Sequence, residues 1–114
     1  MPEAWRDDWV AWKREVTRGR RCIVCNRGGK LDPHHVLPAR RILDWARERR
    51  LALDDPQVIG LLFDPDNGVP VCREDHEAHE NGSRRIPFRL LPLAALRFAE
   101  RLDLGHVLDR LYPR

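Results

Sequence analysis

A chain of 114 residues with a formal charge of +3 and 42% hydrophobic residues is expected to form one domain, 1–114, whose core is of modest stabilising power. Its longest apolar runs, "VIGLLF" and "LLPLAAL", fall far short of the ~20 residues of a spanning helix, which excludes that kind of membrane protein. The mild net charge does not by itself indicate a nucleic-acid binder, yet lysine occurs only at Lys13 and Lys30 and every other basic residue is arginine, whose planar fork suits phosphate.

In chain order, Trp5, Trp9, Trp12 and Val16 recur at helical spacing among charged residues, which predicts an amphipathic helix over 3–18 ending at Gly19. Its aromatic stripe is read as core and not as a base-stacking surface. A Cys-x-x-Cys turn follows in "CIVCNRGGK". "ARRILDWARERR" reads as a second helix closed by the breaker "LDDP", and the short apolar segment 58–63 leads into the turn-rich "DPDNG". "VPVC" reads as a brief strand and "REDHEAHEN" as a helix ending near Gly82. Residues 92–104 and 106–112 carry leucines at helical spacing around Gly105. The whole is expected to be mostly helical.

The three cysteines are an odd set, and the N-terminus "MPEAWRDDWVAW" is charged from its third residue, unlike a secretion signal. A reducing, cytoplasmic compartment and metal ligation are therefore expected in preference to disulfides. Cys22 and Cys25 form one knuckle. Cys72 opens a second, "CRED", in which Asp75 stands where a fourth cysteine would fall. Together they suit a structural Zn²⁺, with Asp75 preferred as fourth donor and His79, one helical turn later, as the alternative.

The order "PHHV", "DPDNGVPVC", "REDHEAHE" resembles the His-Asn-His (HNH) endonuclease family. The resemblance covers Cys22 to about Gly82 and rests on His34–His35 followed by "VLP", on Asn67 before "GVPVC", and on His76 at a helix start. It implies an α+β fold: a ββα-metal core over about 22–82 with a zinc-knuckle staple, flanked by the N-terminal helix and the C-terminal helices. It further implies that His35 is the general base and that Asn67 holds its ring through the amide oxygen, while His34 and His76 carry a catalytic Mg²⁺, Mn²⁺ or Ni²⁺. The reverse assignment of His34 and His35 stays open, as does a third ligand, Glu80 or His79. Adjacent side chains on a strand point to opposite faces, so a bend near Pro33 and Pro38 is expected to let both rings serve one site. His106 has no expected chemical role.

The resemblance thus implies a metal-dependent DNA endonuclease or nickase leaving 5′-phosphate and 3′-hydroxyl ends. Arg40, Arg41, Arg73, Arg84 and Arg85 are the expected backbone contacts, with weak sequence preference. Two alternatives stand beside it. One is a zinc-stabilised nucleic-acid-binding module without cleavage. The other is an accessory protein resembling small phage-encoded members of the family that act beside packaging proteins.

Overall fold

The computed structural model describes residues 1–114. A 3-10 turn at Glu3–Trp5 runs into helix α1, Arg6–Thr17, which stops just before Gly19 takes a left-handed φ of 66°. Strand β1, Leu31–His35, pairs antiparallel with strand β2, Gly68–Cys72, placing Leu31 opposite Cys72 and His35 opposite Gly68. Between them lie α2, Ala39–Glu48, and α3, Pro56–Leu62. Helix α4, Arg73–Glu80, follows β2 directly, and α5, Leu93–Arg101, and α6, Gly105–Leu111, close the chain. The protein is thus a small α+β structure, mostly helical around a two-stranded antiparallel sheet. No helix is long and apolar enough to cross a membrane.

Local chemistry explains most boundaries. The apolar segment 58–63 is helical because Asp55 caps it, its carboxylate accepting from the Gln57 N–H, and Pro56 occupies the first turn. Helix α2 ends earlier than the "LDDP" breaker suggests. Arg50 takes a left-handed φ of 58° and the Leu51 N–H returns to the Ala46 carbonyl, the pattern of a Schellman stop made without glycine. Asp103, at φ 59°, ends α5 in the same way through Leu104 and Ala99, so Gly105 starts α6 and does not terminate α5.

The buried core joins Val36, Leu37, Ile42, Val58 and Leu62 to Val69, Val71, Phe98, Val107 and Tyr112. Helix α1 reaches the sheet through Trp12 and Val16, both buried. It approaches so closely that a Cβ at Gly68 would run into Val16 and press on the Trp12 indole; glycine there is a requirement of packing, not of backbone conformation. The indole N–H of Trp12 donates to the Asp64 carbonyl at 3.0 Å, tying α1 to the turn that precedes β2. Trp5 and Trp9 are only partly buried, so the aromatic stripe is core in its second half alone.

Candidate active site and metal centres

The cysteine knuckle is held against the sheet by backbone bonds. The Ile23 N–H donates to the Pro70 carbonyl, and Asn26, at φ 63°, closes the turn with its N–H on the Cys22 carbonyl. This carries Cys22 and Cys25 to the end of β2, where Cys72 and Asp75 lie, and the four donor atoms fall within 4.8 Å of one another. Cys25 Sγ and Cys72 Sγ are 3.8 Å apart, too far for a disulfide of ~2.05 Å and equal to the ~3.8 Å edge of a tetrahedron with ~2.3 Å Zn–S bonds. Cys22 and Cys72 Sγ lie 3.4 and 3.1 Å from Asp75 Oδ2.

Burial pushes the Cys72 thiol up to about 12, so a thiolate there calls for a cation. Burial also resists ionisation of Asp75, but bonds from Cys72 and from Arg84 outweigh it and hold the carboxyl at about 2. Three sulfurs and an ionised carboxylate can bind a metal ion and are compatible with structural zinc. Arg84, its side chain largely exposed, donates to Asp75 Oδ1 at 2.6 Å and so braces this centre.

The second cluster is His34, His76 and Glu80. Tyr112 fixes the tautomer of His34. The phenol O–H donates to the Val36 carbonyl at 2.6 Å, so its oxygen can only accept from His34 Nε2, 2.8 Å away. His34 Nδ1 therefore keeps its lone pair, and it faces Glu80 Oε1 at 3.6 Å. In His76, Nδ1 lies 3.3 Å from Asp32 Oδ2 and Nε2 3.4 Å from the same Glu80 oxygen; with the neutral ring's hydrogen on the Asp32 side, Nε2 offers its lone pair to the cluster. Three acceptors facing one another repel unless a proton or a cation lies among them. Their separations are close to the ~3.0–3.4 Å edges of a polyhedron with bonds of ~2.1 Å, so the donor set fits a divalent ion. Burial lowers the proton affinity of His34 from its ordinary 6.5 although Glu80 opposes this; when a proton does sit on Nδ1, its bond to Glu80 holds that carboxyl at about 2 against some burial.

His79 belongs to neither cluster. Its Nδ1 accepts the Ile86 N–H at 2.9 Å and its ring stacks on Tyr112 at 4.9 Å. Burial first, then repulsion from His34 whenever that ring is charged, brings it down to about 4. The expected metal role of His79 is thus corrected: it is a neutral core histidine that packs Tyr112 behind His34.

His35 stacks on Trp12 with ring centroids 4.2 Å apart and planes at 21°. Its Nε2 lies 2.7 Å from the Leu62 carbonyl; since a carbonyl only accepts, Nε2 carries the hydrogen and Nδ1 the lone pair. Burial lowers the proton affinity of this ring as well, with the Leu62 bond acting against it. Asn67 does not hold the His35 ring. Its side chain is fully buried and clamps the Leu37 peptide, with Oδ1 accepting from the N–H at 2.7 Å and Nδ2 donating to the C=O at 2.9 Å. The turn at Pro65–Asn67 lies beside the segment leaving β1, where the peptide's paired donor and acceptor match an amide better than an imidazole nitrogen does. The α3 C-terminus supplies the carbonyl that was expected from Asn67.

A cleft of about 520 Å³ runs between α1 and α4 along β1. It is lined by Trp9, Trp12 and Lys13 on one wall, Asp32, Pro33 and His35 beneath, and Arg73, His76, Glu77 and Glu80 opposite, with no residue of β2. Of β1, Asp32, Pro33 and His35 line it, while His34 is buried and lies outside its lining. Of the five expected arginine contacts, Arg73 alone lines the cleft. Comparison with protein-family models, curated proteins and solved structures returns no match in any of the three.

Sequence reasoning missed Asp32, Leu62, Tyr112 and Trp9. The adjacency of Asp32 to the histidine pair was the one available signal, whereas Tyr112 and a backbone carbonyl leave no local pattern. Tyr112→Phe keeps the ring and removes the hydroxyl that orients His34. It is expected to weaken Mn²⁺ binding about 10–100-fold, the usual cost of losing a partner behind a metal-ligating histidine, while zinc content is unchanged. Calorimetric titration of the zinc-loaded protein with Mn²⁺ measures this.

Proposed function

We propose that this protein is a metal-dependent DNA endonuclease or nickase of the HNH type, with the ββα-metal arrangement formed by β1, β2 and α4. The observation that carries the reading is that His35, with a free lone pair, lines one cleft with His76 and Glu80, which together with the buried His34 behind them form a three-donor cluster suited to a divalent cation. His34 Nδ1, His76 Nε2 and Glu80 would hold the ion, leaving positions for substrate as catalytic sites require. Its chemistry there would be to neutralise the scissile phosphate and the departing 3′ oxygen.

The remaining work falls to side chains. His35 Nδ1 takes a proton from the attacking water. The imidazolium so formed keeps its Nε2–H on the Leu62 carbonyl, and the Trp12 face against it favours the positive charge. Asp32 and Tyr112 hold the two ligating rings in the required tautomers. Arg73, its side chain 71% exposed, is placed to meet a neighbouring phosphate once it leaves Asp32. Incubating supercoiled plasmid with zinc-loaded protein in Mg²⁺, Mn²⁺ or Ni²⁺ tests the reading. Nicked or linear product bearing 5′-phosphate is expected, and intact plasmid under all three ions would refute it.

A further inference from the structure

We propose that Trp9 and Lys13 form a binding subsite for an unpaired nucleotide, so that the cleft takes single-stranded DNA, including the locally unpaired strand of a supercoiled plasmid. The inference rests on the hydrolase reading for the chemistry next door, but the subsite is argued from its own geometry. Trp9, Trp12 and Lys13 share one face of α1 at i, i+3 and i+4. Trp12 is used up: it is buried, stacks on His35 and donates to Asp64. Trp9 is engaged only by Lys13, whose ammonium lies over its ring. It is half-buried in the cleft wall, and its indole N–H has no partner in the protein. Lys13 Nζ stands 5.3 Å from the Trp9 ring centroid and pairs with no carboxylate.

An aromatic face beside a free cation is what a base and its phosphate require: stacking on one, charge neutralisation by the other. A base inside a duplex has both faces covered by its neighbours, so only an unpaired or extruded nucleotide can use Trp9. The cleft volume of about 520 Å³ falls within the range of small-ligand pockets and has room for a nucleotide unit. Arg73 on the opposite wall gives a second cation, so that phosphates on either side of the link next to His35 each meet a positive charge.

The test uses the zinc-loaded His35→Ala protein without added divalent ion, so that binding is read apart from cleavage. Anisotropy of a fluorescein-labelled oligothymidylate is compared with that of a duplex of the same length. The single strand is expected to bind more tightly; adding Trp9→Ala weakens it on the order of tenfold and leaves the duplex little changed. Equal or tighter binding of the duplex, or an unchanged single-strand Kd in Trp9→Ala, overturns the proposal. Should Trp9→Ala fold poorly, Trp9→Phe decides through intrinsic fluorescence. Quenching by the single strand is expected in the parent and lost in Trp9→Phe, and quenching that persists overturns the subsite. A wild-type protein that leaves plasmid intact while these binding results hold would refute the hydrolase alone.

Discussion

His35→Ala is expected to lower the rate of plasmid cleavage about 10²–10⁴-fold, the range lost with a general base, while zinc content and the thermal transition change little. The ring is held by two contacts of different kinds, the Leu62 carbonyl at Nε2 and the Trp12 face. Neither depends on His35 for its own place. Trp12 is anchored by Asp64, and the Leu62 carbonyl belongs to the end of α3. Removing the imidazole therefore deletes the proton acceptor without unfastening the walls. Initial rates of nicking in Mn²⁺ give the effect, and a melting curve shows whether the fold survived. A variant that folds and cuts at the parent rate would remove His35 from the chemistry.

The largest effect on stability is expected from the cysteine centre. Stripping zinc with a chelator, or Cys72→Ala, is expected to abolish the cooperative thermal transition. A structural zinc site contributes on the order of 10–16 kcal/mol of apparent binding free energy at neutral pH, whereas a small domain holds only ~5–15 kcal/mol in total. The centre joins the Cys22–Cys25 turn to the end of β2 and the first turn of α4. With it gone, Arg84 faces a buried carboxylate that has lost its other partner, and His76 loses the helix start that aims it. The proton balance gives a second readout. Cys72, pushed up to about 12 by burial, must give up its proton on binding metal, while Asp75 at about 2 has none to lose. Zinc uptake at neutral pH is therefore expected to acidify a weakly buffered solution. Full folding with no bound metal, measured by circular dichroism and elemental analysis, would contradict the account.

The sequence made the candidate ligands legible and their supports not. Cysteine spacing and the Asp75 position led to a centre compatible with zinc, and helical periodicity placed α1, α2, α5 and α6 because each shows its buried face at local spacing. Spacing along the chain says nothing about what stands behind a ring. Asn67 and Leu62 are near in sequence, and only the fold decides that the amide clamps Leu37 and the carbonyl takes His35. Tyr112 lies far along the chain from His34 and carries no motif. The same limit applies to Trp9, since a periodic aromatic is the same letter whether its neighbour is core or cleft. His79 differs in the opposite sense: its spacing fitted a ligand, but its Nδ1 accepts the Ile86 N–H and its ring stacks on Tyr112, outside both donor clusters.

Anomalous diffraction from crystals of the zinc-loaded protein soaked in Mn²⁺ tests the arrangement most directly. The account predicts a manganese peak among His34 Nδ1, His76 Nε2 and a Glu80 oxygen, beside a His35 whose Nε2 still meets the Leu62 carbonyl. Manganese bound elsewhere in the cleft, or these three side chains turned away from one another around no ion, would contradict it.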